Sequence, residues 1–248
     1  MSNRISARGS SGLAETVKTI VYAIIIALII RTFFYEPFSI PSGSMIPTLL
    51  AGDYLFVSKF SYGYSRYSLP LGMPLFTGRV MFTPPHRGDV VVFKLPKDPS
   101  IDFIKRIIGL PGDHVQMKDG VLYINDQPVK RDRIGVYQDS ASGATYTEYM
   151  ETLPNGYPHP IIKLPGTYTL DNTPVFTVPP DHYFMMGDNR DNSSDSRDPS
   201  SGVGYVPAEN IVGRAVFLFF STNGYAHWWE IWDWPFTVRY DRLFTSIH

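Results

Sequence analysis

A cluster of serines bracketed by prolines follows directly after the most apolar stretch of the chain. It runs from Pro41 to Pro47, and its central serine, Ser44, lies ten residues beyond Phe34, where the apolar stretch ends. Prolines restrict the backbone and so hold the serine hydroxyls in few orientations. At about 3.3 Å per residue, Ser44 can lie at most about 33 Å from the end of that stretch. The position predicts a serine nucleophile close to a membrane surface.

A serine nucleophile needs a general base, and the sequence offers histidine or lysine. None of the histidines has a recognisable catalytic surrounding, and most are expected at surfaces or in turns: His86, His114, His159, His182, His227 and His248. Lys105 is the better candidate, because strand alternation places it on one face with Phe103 and Ile107. Burial between them would lower its pKa and make part of it neutral at pH 7. The residues alone leave open a lysine that simply extends to solvent.

The segment 187–197 holds an unusual density of Asp, Asn, Ser and Arg. Such side chains favour a loop tied by hydrogen bonds and ion pairs. A calcium loop is the competing interpretation, but Ser196 stands where the EF-hand pattern needs glycine and Gly202 where it needs glutamate. A hydrated polar turn stays open as a further alternative. The chain also lacks a His-Glu-x-x-His motif and any cysteine, so no metal site and no cofactor are expected.

The elements that position these residues are predicted from composition and pattern. The chain has 248 residues and a formal net charge of −1, which does not favour a nucleic-acid partner. Its 21 prolines and 20 glycines indicate many turns. Short runs rich in β-branched and aromatic residues predict strands at 54–59, 90–95, 103–108, 121–124, 175–178, 183–186 and 212–220.

The apolar window from Leu13 to Phe34 predicts an uncleaved membrane anchor. Its 22 residues span about 33 Å as a helix, enough to cross a bilayer. A buried core helix or a cleaved signal peptide are the alternatives, but the residues from Arg31 to Tyr35 include no small side chains for a cleavage site. Basic residues before the uninterrupted apolar run that starts at Ile20 favour a cytoplasmic N-terminus: Arg4, Arg8 and Lys18.

Three segments, in this order, resemble those of bacterial signal peptidase I. They are Ser-Gly-Ser-Met-x-Pro-Thr-Leu at 42–49, Lys-Arg-x-x-Gly-x-Pro-Gly-Asp at 105–113, and Gly-Asp-Asn-Arg-Asp-Asn-Ser-x-Asp-Ser-Arg at 187–197. The resemblance implies a mainly β fold with a signal peptidase-like β-core and an inserted smaller β-subdomain, after one N-terminal transmembrane helix. The expected division is a disordered cytoplasmic tail at 1–12, an anchor at 13–34, a catalytic β-core at 35–112 and 181–248, and the inserted subdomain at 113–180.

The same resemblance implies roles for individual residues. Ser44 is the expected nucleophile and Lys105 the expected general base. The Ser42 hydroxyl and the Ser44 backbone amide are expected to form the oxyanion hole. Ser193 is expected to bond the lysine. The expected supporting residues are Asp188, Arg190, Asp195 and Arg197.

The implied substrates are exported preproteins cut after an Ala-x-Ala site by a membrane-bound serine endopeptidase. Ile40, Met45, Phe103 and Ile104 are the expected substrate-binding residues. The phospholipid bilayer is the other expected partner. The implied location is the bacterial inner membrane, with a single span and the catalytic domain on the periplasmic face. A tryptophan cluster from Trp228 to Trp234 suggests a lipid contact, with packing against the β-core as the alternative.

Two rival functions and one departure from the family are visible in the sequence. A self-cleaving Ser/Lys repressor would be soluble and carry a DNA-binding module. A membrane-tethered binding domain would have no reason to keep Ser44, Lys105 and Ser193 in these surroundings. The departure lies at 198–204, where the family has an aromatic residue after the arginine and a shorter run to Val206-Pro207.

Overall fold

The described part of the chain begins with one long helix, α1 (Gly9–Phe33), and is otherwise mainly β, as predicted. The computed structural model describes residues 9–69, 72, 76–139, 142–223 and 234–247. Within α1, Gly12–Phe33 is long and apolar enough to cross a membrane, and its side chains, such as Ile26 at 57% exposure, are not covered by the β-strands. The helix already includes residues 9–12 of the tail predicted to be disordered, whereas residues 1–8 lie outside the described part.

Sixteen strands follow α1 in the described residues, together with a short helix α2 (Trp234–Thr237). In chain order they are β1 (Tyr35–Ser39), β2 (Asp53–Ser58), β3 (Tyr64–Ser65), β4 (Arg79–Val80), β5 (Val90–Leu95), β6 (Asp98–Gly109), β7 (His114–Lys118), β8 (Val121–Ile124), β9 (Gln127–Pro128), β10 (Lys130–Gln138), β11 (Thr145–Thr152), β12 (Pro158–Lys163), β13 (Phe176–Thr177), β14 (His182–Met186), β15 (Tyr205–Pro207) and β16 (Ile211–Ser221).

The main sheet has seven antiparallel strands in the order β1-β2-β16-β5-β6-β14-β15. Strand β5 shows why both of its faces are covered. Alternation sends Val90 and Val92 into one apolar core and Val91 and Phe93 into another. The first core also holds Ile40, just after β1, and Ile104 of β6. The sheet therefore curls until the end of β1 approaches β6.

The strands between residues 114 and 177 form two sheets of their own, β10-β11-β12 and β13-β7-β8-β9. They do not form an independent core, because Val115 and Leu122 pack in one cluster with Ile108 and Phe184 of the main sheet. The end of β12 also pairs with the loop after β14, through a parallel bridge between Ile162 and Asn189. The boundaries proposed for an inserted subdomain at 113–180 stay a prediction.

Candidate active site

The centre of the candidate site is a contact between Ser44 and Lys105. Lys105 Nζ lies 2.7 Å from Ser44 Oγ and donates a second hydrogen bond of 3.1 Å to the Ile104 carbonyl. The lysine is 3% exposed and the serine 8%. The ammonium also lies 5.3 Å from the centroid of the Phe103 ring. The lysine therefore points into the protein. The alternative left open by the sequence, a lysine that extends to solvent, does not hold for this side chain.

Burial lowers the pKa of Lys105 from 10.5 to about 8. The carboxylates of Asp195 and Asp188 oppose this shift, and the Arg197 charge adds to it. In the described part of the chain Lys105 forms no ion pair with a carboxylate. With a pKa of about 8, roughly one molecule in ten carries a neutral amine at pH 7, compared with about one in 2,500 for a free lysine. A neutral amine at 2.7 Å can accept the serine proton.

The loop that carries Ser44 is held from two sides. Met45 and Leu49 have no exposed surface and anchor it in the core of the main sheet. From the other side, Asn189 donates its backbone N–H to the Ser44 carbonyl at 3.1 Å and its side-chain amide to the Gly43 carbonyl at 3.0 Å. The serine is thus fixed by the segment 187–197, which the sequence placed in a hydrogen-bonded loop.

Gly187 allows the loop 187–197 to pack directly against the Ser44 backbone. A Cβ atom there would lie 2.5 Å from the Ser44 carbonyl oxygen and 2.3 Å from Ser193 Oγ, so only glycine fits. Ser42, in contrast, is exposed, and its Oγ lies 3.4 Å from Ser44 Oγ. Its hydroxyl therefore lies on the solvent-exposed side of Ser44.

A fully buried ion pair joins Asp188 to Arg106. The guanidinium donates to both carboxylate oxygens, at 2.9 Å and 2.8 Å, and Thr48 donates its hydroxyl to the same carboxylate at 2.5 Å. Burial acts to raise the pKa of Asp188, but Arg106 and these bonds hold it below its usual value. Asp188 was predicted from the sequence as a supporting residue, whereas Arg106 and Thr48 were not. The signal for Arg106 is its place next to Lys105, on the opposite face of β6.

The pair of Asp195 and Arg197 was predicted, and the structure places the two side chains together. Arg197 bonds both carboxylate oxygens, at 2.9 Å and 2.8 Å, and also donates to the Arg190 carbonyl at 2.6 Å. Asp195 accepts the Gly187 backbone N–H at 3.0 Å. The pKa of Asp195 is low despite its burial, chiefly because of Arg197. The pair thus fixes the glycine that touches Ser44.

Arg190 is held by residues that the sequence analysis did not single out. It binds Glu151 of β11 with two hydrogen bonds, at 2.9 Å and 2.5 Å. His159 of β12 lies 3.4 Å from the same carboxylate. That histidine is buried, which lowers its pKa and makes it an exception to the expectation of surface histidines. The strands of residues 114–177 therefore support the site loop directly.

Ser193 lies in the site but does not bond Lys105 in this structure. Its Oγ is buried, lies against Gly187, and lacks a close hydrogen-bond partner among the described residues. It is near enough to Asp195 to contribute to the low pKa of that carboxyl. The expected bond from Ser193 to the lysine thus stays a prediction.

The four expected substrate-binding residues divide into two groups. Ile40 and Ile104 keep 4% and 8% of their surface exposed, and Phe103, next to Ile104 in β6, is half-buried. Met45 has no exposed surface and lies in the core, so its side chain is a support for the loop and not a substrate contact in this structure. Trp228, Trp229 and Trp232, and the side chain of Trp234, lie outside the described residues.

Comparison with known proteins gives consistent matches. The family model "Signal peptidase, peptidase S26" matches residues 13–220. A signal peptidase I of Rickettsia typhi is 41% identical, over 99% of this chain and 98% of the relative, and one of Rickettsia massiliae is 44% identical, over 92% and 91%. A crystal structure of a signal peptidase I from Enterococcus faecalis is 28% identical over 53% of this chain and 97% of that one, with a TM-score of only 0.34, too low to carry an argument.

Proposed function

This chain belongs to the signal peptidase I family of serine endopeptidases, peptidase S26, and from that premise we propose that it removes signal peptides from exported preproteins with a Ser44–Lys105 dyad. The observation that carries the proposal is the 2.7 Å contact between Ser44 Oγ and a buried lysine whose pKa is lowered to about 8. The contact supplies a nucleophile and a base already within reach of each other.

In the proposed reaction, neutral Lys105 takes the proton of Ser44 as the serine oxygen attacks the scissile carbonyl. The oxyanion that forms is held by the Ser44 backbone N–H and the Ser42 hydroxyl, each worth about 3–4 kcal/mol. Protonated Lys105 then gives its proton to the leaving amine, which leaves an acyl ester on Ser44 and releases the new N-terminus. A water molecule, deprotonated by the same lysine, hydrolyses the ester and frees the signal peptide.

The substrate is proposed to bind as an added strand. Among the described residues β1 pairs only with β2, and β14 pairs with β6 only from Arg106 onward. Both unpaired edges end at the dyad and offer backbone hydrogen bonds to an extended peptide. The preference for an Ala-x-Ala site is proposed to come from small subsites next to the apolar side chains of Ile40 and Ile104, which lie near Ser44 and Lys105 in the chain.

The enzyme is proposed to work at the outer face of the bacterial inner membrane, held by α1 with its N-terminus in the cytoplasm. A row of aromatic side chains supports contact of the catalytic domain with the bilayer. It continues from the end of α1 across β1, β2 and β16, and each ring centroid lies within 6.3 Å of the next: Phe34, Phe60, Tyr35, Phe56 and Phe219. Phe34 and Phe60 are about half exposed, as rings at a lipid headgroup layer would be.

The test is incubation of detergent-solubilised protein and lipid with a preprotein that carries an Ala-x-Ala site, beside the Ser44→Ala variant. Cleavage directly after the second alanine by wild type alone is the expected result. Folded wild type that leaves the preprotein intact would contradict the proposed function, and cleavage by Ser44→Ala would contradict the nucleophile.

A further inference from the structure

A cleft of about 570 Å³ lies between the end of α1 and the β-domain, away from Ser44 and Lys105. One wall is formed by Leu28 and Thr32 of α1, the floor by Phe38 of β1, and the opposite wall by Ser100 and Asp102 of β6. Thr32 is only 8% exposed, so α1 packs against the domain at this point. The volume is in the range of clefts that bind ligands.

The two free strand edges of the active site lead into this cleft. From Ser44 the chain runs back along β1 to Phe38, and from Lys105 it runs back along β6 to Asp102. In the opposite direction the strand edges are already occupied. Met186 of β14 pairs with β6 at Arg106, and Asn189 bonds the Ser44 carbonyl. A peptide bound at the dyad as an added strand therefore continues along the edges toward the cleft.

The direction of the substrate follows from the membrane. The N-terminal part of a signal peptide is apolar and lies in the bilayer, and among the described residues α1 is the helix that is long and apolar enough to fit a bilayer. The part of the substrate before the cut must therefore run toward α1. Phe38 and Asp102 lie six and three residues back from Ser44 and Lys105. At about 3.3 Å per residue of strand, the cleft lies roughly 10–20 Å from the dyad.

The chemistry of the cleft is mixed in a way that fits this segment. Leu28 and Phe38 are apolar, whereas Glu36 is held by Lys59 at 2.8 Å and Lys94 pairs with Asp102 at 2.9 Å at the rim. Apolar and charged walls side by side suit a peptide whose apolar stretch gives way to polar residues.

We propose that this cleft binds the signal-peptide residues about four to six positions before the cut, and that α1 forms one wall of that subsite. The inference rests on the proposed function, and it gives the anchor a second role: the helix binds substrate as well as holding the enzyme in the membrane. Substrates that reach the cleft gain affinity from it, and peptides that stop short of it do not.

The first test compares two substrates: a preprotein, and a short peptide that starts three residues before the cut. Leu28→Trp fills the cleft from the α1 wall and is expected to lower kcat/KM for the preprotein about tenfold, mainly through KM, while cleavage of the short peptide stays unchanged. Ile30→Trp is the matched control, since position 30 is two residues further along the helix and faces about 200° away. Ile30→Trp should leave kcat/KM unchanged for both substrates. The short peptide reports correct folding of each variant.

The second test uses the absence of cysteine from the chain. In a Ser44→Ala background, Leu28→Cys should form a disulfide with a preprotein that carries its single cysteine about five residues before the cut. Ile30→Cys should not, because a disulfide needs Cα atoms within about 7 Å. Three results would overturn the inference. The first is equal crosslinking of Leu28→Cys and Ile30→Cys, and the second is full preprotein cleavage by Leu28→Trp. The third is an equal loss of cleavage by Leu28→Trp on the preprotein and on the short peptide. Wild type that cleaves neither substrate would overturn the proposed function, and this inference with it.

Discussion

Lys105 and Lys163 are both buried strand lysines, 3% and 8% exposed, but they lie in opposite electrostatic surroundings. Lys163, at the end of β12, donates to two carboxylates, Asp171 at 2.5 Å and Asp191 at 2.9 Å. Lys105, in β6, donates to a hydroxyl and a carbonyl and has no carboxylate partner in the described part of the chain. One lysine holds a loop in place, and the other is left with a partner that it can deprotonate.

The two lysines differ because the carboxylates near Lys105 are already paired with arginines. Asp188 and Asp195 surround Lys105, yet each is bonded by its own arginine, Arg106 or Arg197. The carboxylates therefore only partly offset the desolvation of the lysine. The arginines thus do more than brace the loop, since they keep the carboxylates from stabilising the protonated base.

The largest effect on activity is expected from substitution of Lys105, the lysine without a carboxylate partner in the described part of the chain. Lys105→Ala should lower kcat for preprotein cleavage by roughly 10³–10⁴-fold, because among the described residues Lys105 is the only basic side chain that bonds the Ser44 hydroxyl. Lys105→Arg should not rescue the activity, since a guanidinium stays protonated. Single-turnover cleavage assays measure both. Substantial activity in either variant would break the assignment of the base.

The two lysines should also differ in what their removal does to folding. Lys163→Met leaves Asp171 and Asp191 without their cation and should destabilise the protein by about 3–5 kcal/mol. Lys105→Met should instead stabilise it at pH 7, by up to about 3 kcal/mol, because the pKa of Lys105 is lowered on folding from 10.5 to about 8 and its protonated form is strained by burial.

This stabilisation by Lys105→Met has a defined pH dependence. It is complete below about pH 8, where wild-type Lys105 is protonated in both states, and it fades as the pH rises toward 10.5. Urea unfolding of the detergent-solubilised variants at several pH values measures it. Equal destabilisation by both methionine variants would show that the two lysines are held alike.

The smallest expected effect is a shift of the pH profile when the neighbouring ion pair of Asp195 and Arg197 is changed. Asp195→Asn removes a charge that raises the pKa of Lys105 and should move the acidic limb of the kcat/KM profile to lower pH by about one unit. Arg197→Met removes a charge that lowers that pKa and should move the limb to higher pH. Both variants break the same ion pair, so each controls for structural damage in the other. Shifts in the same direction would contradict the electrostatic account.

Local pattern was enough to predict the central strands. The valine-rich run of β5 and the run 121–124 of β8 have the predicted bounds, because β-branched residues there fill both faces or one buried face. β1 was missed because it is short and holds Pro37 at an edge, and β10 because its side chains alternate without an apolar face. Edge strands carry too little apolar signal to be recognised from sequence.

The same limit applies to the site. Ser44 and Lys105 were predicted as partners, and the structure brings them into contact, because their surroundings are distinctive in sequence. Glu151 and His159 were missed because they lie in strands without a local motif and meet Arg190 only through tertiary packing. The predicted division into a β-core and an inserted subdomain gives no sign that strands β11 and β12 support the loop 187–197.

The most direct test of the central claim is the pH dependence of kcat/KM for preprotein cleavage by the wild-type protein, from about pH 6 to about pH 10. The account predicts a tenfold rise per pH unit up to a midpoint near the pKa of Lys105, about 8, and a plateau above it. A midpoint near 6.5, as for a histidine base, or a rate that still rises tenfold per unit up to about pH 10 without a plateau, as for an unperturbed lysine, would contradict it.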